Sequence, residues 1–233
     1  MSNQPRTAQQ CDFSMAHYGE ILDRALELGY GIFPLSSAVG ESAAEKGSRS
    51  ILLRHDADVS LELAVQMAEF ESQKSIRATY FIRLHARYYD VKDPRNRGSI
   101  VRLRHIGEVG LHYEPGFYQE AGGDRLGLLA EDRQRFASLV GTDVFGCAAH
   151  MPGTVGHFPE DEVKSAGLVY EAYAPLFTKD RKYLSDSGAR WREGCLCRWL
   201  GKEDHFTVLV HPVWWLNWKE PATTVIQRLK AGD

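Results

Sequence analysis

Leu52-Leu53-Arg54-His55-Asp56-Ala57-Asp58 is the stretch on which the reading of this chain turns. An apolar run that begins at Ile51 stops at a cluster of ionisable side chains, and Ser60 follows as a candidate helix N-cap. In an α/β protein such a junction is the carboxyl end of a strand, where ligands and catalytic groups gather. Asp56 and Asp58 are two positions apart, so on an extended backbone both point to one side. Carboxylates held that close need a metal, a proton or a substrate to offset their repulsion.

Working outward, short apolar runs alternate with helical periodicity. Tyr18, Ile21, Leu22, Ala25 and Leu28 recur at helical spacing, with Gly29 as a stop signal. Gly29 to Phe33 reads as a short strand, and Ser36 to Ser50 as loop with some helix. After Ser60 a helix is expected as far as Lys74, with Leu61, Ala64, Val65 and Ala68 on its apolar stripe. Ala78 to Ile82 has the β-branched and aromatic makeup of a buried strand. Asp90 to Gly98 reads as loop and Ile100 to Ile106 as helix. Val109 to Leu111 is a strand ending at His112, and Leu126 to Val140 an amphipathic helix. Val144 to Ala149 is a strand ending at His150. Val169 to Ala174 and Thr207 to Val210 are further strands, the latter ending at His211, and Pro221 to Lys230 is a closing helix. This alternation predicts parallel βαβ units, hence a doubly wound sheet or a barrel.

Composition narrows the classes. The 233 residues carry a formal net charge of −3, with acids and bases mixed along the chain, so no nucleic-acid-binding stripe is expected. The length suits a single domain over residues 11–233, preceded by a flexible segment over residues 1–10. That segment has no apolar core, so no secretory signal is expected and the protein is expected to be cytoplasmic. No apolar run reaches the length of a membrane span. The four cysteines are Cys11, Cys147, Cys195 and Cys197. Cys195 and Cys197 have one residue between them, which is neither a redox pair nor a zinc-ribbon half-site, so reduced thiols are expected.

Taken one at a time, the strand-end residues have ordinary explanations. Asp56 or Asp58 could cap the next helix, and His112 or His150 could be hydrogen-bonded core histidines. Their repetition at the ends of successive apolar runs argues for a joint site, because a parallel barrel brings all strand ends to one rim. Asp with neutral His favours a borderline divalent metal: Zn²⁺ first, with Co²⁺ or Ni²⁺ as alternatives. Such an ion lowers the pKa of a bound water to about 7, and a free carboxylate and a histidine can then serve as base and acid. Asp56, Asp58, His112 and His211 supply those parts without the sequence assigning each role. Trp191, Trp199, Trp214, Trp215 and Trp218 are read mainly as core, with one or two forming a wall for a sugar face. Gly153-Thr154-Val155-Gly156-His157 is read as a plain turn in preference to a phosphate loop.

The same residues carry a family resemblance. Leu52 to Asp58 resembles the first motif of polysaccharide deacetylases of the NodB-homology type, in the variant with one residue between the acids. The likeness continues through Ala78-Thr79-Tyr80-Phe81, Glu108 to Glu114, Tyr183 to Ser187 with Trp191, and Val210-His211-Pro212. It implies a distorted (β/α) barrel, seven-stranded, and a metal-dependent hydrolase that removes an acyl group from a carbohydrate. By motif position it implies Asp56 as general base, Asp58 and His112 as metal ligands, His211 as general acid and Asp186 as an orienting group. Two positions depart from the pattern. The family's second histidine falls at Gly116, so a third ligand must come from His150, Glu114 or a water, with His150 preferred. An Arg that supports the base falls at Met151, and Arg54, Arg83 or Arg104 would have to replace it.

The expected function is therefore hydrolysis of an N-acyl group on an amino sugar, a sugar-like intermediate or a small amide. Two alternatives stand beside it: an inactive deacetylase-like module that binds glycans or a partner, and a hydrolase of cyclic amides or ureides.

Overall fold

The computed structural model describes residues 12–39 and 49–216, with Thr224 and Gln227 beyond them. The expected flexible segment, Cys11, Trp218 and most of the expected closing helix lie outside these residues.

Eight parallel strands are described: β1 (Gly31–Phe33), β2 (Ser50–Ala57), β3 (Thr79–Ile82), β4 (Glu108–Tyr113), β5 (Gly146–Ala149), β6 (Tyr170–Glu171), β7 (Lys182–Ser185) and β8 (His205–Val210). Seven run in the order β6-β5-β4-β3-β2-β8-β7. The short β1 shares an edge of β2 with β3, pairing at Ser50 to Leu52 while β3 pairs at Arg54 to Ala57. Among the described residues no backbone ladder joins β6 to β7, so the sheet is an open, curled barrel.

The main helices are α1 (Met15–Glu27), α2 (Leu61–Ser72), α3 (Pro94–Ile106), α4 (Pro115–Ala121) and α5 (Arg125–Val140). Ser14, Ser60, Asp93 and Asp124 cap α1, α2, α3 and α5 by accepting backbone N–H groups of the first turn. Asp93-Pro94 starts α3 earlier than expected, because a capping Asp followed by a Pro at the first position is a start signal. Strand β7 was not anticipated either; its Lys182, Tyr183, Leu184 and Ser185 lack the apolar continuity of the other strands.

Strand β2 is buried on both faces, which is why its apolar run reads as continuous. Ile51, Leu53 and Ala57 pack in the large cluster between sheet and helices. Leu52 points the other way, into a second cluster with Leu35, Phe81, Ala148, Tyr170 and Phe177, inside the curl. This interior is narrow. Gly110 is the register partner of Phe81, and Gly146 of Tyr170. A Cβ on Gly110 would lie 2.5 Å from the Phe81 ring, and one on Gly146 2.0 Å from the Tyr170 ring. Both glycines let an aromatic side chain fold flat over the neighbouring strand. Gly110→Val should therefore cost about 1–3 kcal/mol by overpacking, seen as a lower urea midpoint; an unchanged midpoint would contradict the close approach.

Candidate active site

Even-numbered residues of β2 build the interior upward: Leu52 in the apolar floor, then Arg54, then Asp56. The Arg54 guanidinium is fully buried, 4.8 Å from the ring centres of both Phe81 and Tyr173. It donates to both Asp56 oxygens, at 2.8 and 2.9 Å from Nη2. Burial disfavours the charged guanidinium, but the Asp56 carboxylate outweighs it and holds Arg54 protonated. In return, although burial raises the Asp56 pKa, Arg54 and the neighbouring histidines bring it below the ordinary carboxylate value. Of the three arginines considered as replacements at the Met151 position, only Arg54 reaches Asp56 here. Arg83 pairs with Glu114, and Arg104 donates to the Val140 carbonyl.

Asp58 follows the end of β2 and keeps its side chain on the Asp56 side. His112 Nε2, from β4, lies 3.2 Å from Asp58 Oδ1 and 3.5 Å from Asp56 Oδ2. His112 Nδ1 faces the Ala148 carbonyl at 2.9 Å, which fixes the ring and turns Nε2 inward. His150, just past β5, brings Nδ1 to 3.3 Å from the same Asp58 Oδ1. The donor atoms of Asp58, His112 and His150 all lie within 4.8 Å of one another. Asp58 Oδ1 is buried, and neither imidazole meets it in hydrogen-bonding geometry. An orphaned carboxylate oxygen facing two imidazole nitrogens suits a divalent cation, so these residues fit the metal that the sequence implies. Glu114, the other candidate third ligand, is held by Arg83. Burial lowers the His112 pKa, but Asp56 and Asp58 raise it above its ordinary value overall.

His211 closes the opposite side. It sits directly after β8, with Nε2 3.7 Å from Asp58 Oδ2. Asp186, buried after β7, holds it: the His211 backbone N–H donates to both carboxylate oxygens, and Nδ1 lies 2.6 Å from Oδ1. The Trp215 indole N–H donates to Asp186 Oδ2 at 2.9 Å. Burial works to deprotonate His211, but Asp186 and the two site aspartates raise its pKa to about 9.

These residues open onto a cavity of about 750 Å³, also lined by Tyr173, Tyr183, Arg192, Glu193 and Trp214. Of the tryptophans, Trp215 is core, while Trp214 stands at the cavity with its ring centre 6.4 Å from His211. Gly153 and Thr154 belong to a single helical turn, Pro152–Val155, at the cavity wall. His55, inside the opening motif, faces away. It meets Glu71 at 2.8 Å on the helical side of β2, where Tyr18 and Tyr80 also donate to Glu71.

The fold is shared with known deacetylases. It matches a variant of the peptidoglycan deacetylase PdaC from Bacillus subtilis with a TM-score of 0.52, at 12% identity over 81% of this chain and 87% of that one. It matches the chitin deacetylase of the fungal pathogen Colletotrichum lindemuthianum with a TM-score of 0.50, at 18% identity over 78% of this chain and 81% of that one. The chain thus has the deacetylase-type distorted (β/α) barrel expected from its motifs. No protein-family model matches the sequence, and no curated relative does.

The Arg54–Asp56 pair yields a stability test. Arg54→Leu would leave Asp56 buried without the cation that pairs with both its oxygens, a loss of about 3–5 kcal/mol. Arg54→Leu combined with Asp56→Asn should recover part of that loss in a denaturant-melt cycle; simple additivity of the two changes would mean that the pair is not coupled.

Proposed function

We propose that the protein is a metal-dependent hydrolase that removes an acyl group from the nitrogen of an amino sugar or a sugar-like amide. The observation that carries this reading is the arrangement around Asp58. A three-residue metal-type cluster lies between a carboxylate held ionised by Arg54 and a histidine held protonated by Asp186.

Asp58, His112 and His150 would hold the ion, with Zn²⁺ favoured by the one-oxygen, two-nitrogen donor set. When bound, such an ion polarises an acyl oxygen and makes a nearby water more acidic. Asp56 then takes the proton from the water that attacks the acyl carbon. His211 delivers its proton to the nitrogen as the carbon–nitrogen bond breaks, so the amine leaves neutral. Asp186 keeps the His211 ring in place through Nδ1 and stabilises its charged form, while Trp215 fixes Asp186 in turn. Arg54 supplies to Asp56 the cation that the Met151 position does not, which removes one ground for reading the chain as an inactive binding module. Trp214 and Tyr173 give the cavity aromatic faces on which a sugar ring can lie.

Acyl release from a panel of N-acetylated amino sugars and small amides, with zinc or cobalt supplied, tests the reading. Asp58→Ala should lose both metal and turnover, and His211→Ala should lower kcat by about 10²–10⁴-fold. No release from any compound, together with metal content unchanged by Asp58→Ala, would overturn it. Asp186 gives a pH signature. Because it raises the His211 pKa, His211 stays protonated to higher pH than an ordinary histidine, and activity falls as pH rises past that point. Asp186→Asn should move this alkaline limb of the rate profile to lower pH.

A further inference from the structure

A second group of metal-type side chains lies behind the catalytic rim, where the first turn of α1 meets the segment between β7 and β8. Ser14 caps α1 by accepting the His17 backbone N–H, which fixes His17 in the opening turn. The His17 ring is buried, with Nδ1 3.5 Å from Glu20 Oε2 and Nε2 3.5 Å from Cys195 Sγ. Cys195 is extended (φ −61°, ψ 149°) and leads into a 3-10 turn over Leu196–Arg198, which curls Cys197 back to the same side. The donor atoms of His17, Cys195 and Cys197 lie within 4.8 Å of one another. Bonds of about 2.0–2.3 Å to a tetrahedral zinc put its donors roughly 3.5 Å apart, so small side-chain adjustments suffice.

We infer that His17, Cys195 and Cys197 supply three of the four ligands of a Zn²⁺ site, separate from the Asp58 cluster, with a water completing the tetrahedron. The donor chemistry selects the ion. Two thiolates neutralise a divalent charge inside a largely apolar neighbourhood, and sulfur with imidazole excludes magnesium and calcium. The His17 contacts suit a ligand: a carboxylate can only accept, so Glu20 favours the tautomer with hydrogen on Nδ1, and in that tautomer the Nε2 lone pair faces the Cys195 sulfur. The one-residue spacing of Cys195 and Cys197 is unlike a zinc ribbon, but here the third donor comes from the other end of the fold.

The site links α1 to the chain leading into β8, and it lies close to the catalytic acid. The Trp215 ring stacks near His17, at 6.4 Å and 26°, while its N–H holds Asp186. The ion thus braces, through His17 and Trp215, the carboxylate that positions His211.

Cobalt distinguishes the two clusters, because only this one contains sulfur. Full-length protein carrying Asp58→Ala, stripped of metal under reducing conditions and titrated with Co²⁺, should develop thiolate-to-cobalt charge-transfer absorption in the near ultraviolet. The band should saturate at one ion per chain, weaken when Cys195→Ser or Cys197→Ser is added, and be lost when both are changed. Wild-type protein should show the same band, which covers the case of a variant that fails to fold. Cobalt binding without the band in wild-type protein would overturn the proposal. Persistence of the band in the folded double serine variant would overturn it equally. Neither outcome depends on turnover, so the hydrolase reading can fail while this site stands.

Discussion

A cation buried inside the curl of the sheet, Arg54 between Phe81 and Tyr173, is the constraint to which the rest of the site answers. A guanidinium there cannot shed its proton, and water cannot reach it, so a carboxylate must stand within hydrogen-bonding distance. Asp56 does so from two residues further along the same strand. The pairing leaves Asp56 ionised and fixed in orientation. Those are the properties needed of a base that must accept a proton without swinging away from it.

Strand β2 performs two tasks because its faces alternate. Inward, Leu52, Arg54 and Asp56 grade from apolar floor to charged rim. Outward, His55 enters a buried network with Glu71, Tyr18 and Tyr80 that ties the strand to α1, α2 and β3. Strands on both sides of it deliver the remaining parts: His112 from β4, His150 just past β5, His211 just past β8 and Asp186 just past β7. Parallel strands end on one rim, so residues far apart in sequence meet without any long loop having to be held in place.

Much of this was legible because strand ends are chemically abrupt. Runs such as Val109-Gly110-Leu111 stopping at His112, or Val208-Leu209-Val210 stopping at His211, mark the rim directly. Strand β7 escaped because Lys182 and Tyr183 are only partly buried and break the apolar run. The early start of α3 was hidden among charged residues, although Asp93-Pro94 was a visible cap. Which arginine serves Asp56 could not be read from residue type; Arg54, Arg83 and Arg104 stood level until the structure placed Arg54 between the Phe81 and Tyr173 rings and against Asp56. The Cys195, Cys197 and His17 cluster was invisible for a different reason. Its histidine lies 178 residues before Cys195, and nothing local announces that distance.

The proposed chemistry requires Asp58, His112 and His150 to hold a metal ion between Asp56 and His211. The most direct measurement is a crystal structure of zinc-loaded protein with anomalous data collected at the zinc absorption edge. The expected result is an anomalous peak bonded to Asp58 Oδ1, His112 Nε2 and His150 Nδ1, with Asp56 still paired to Arg54. Absence of a peak among these residues, or an ion held instead by Glu114, would contradict it.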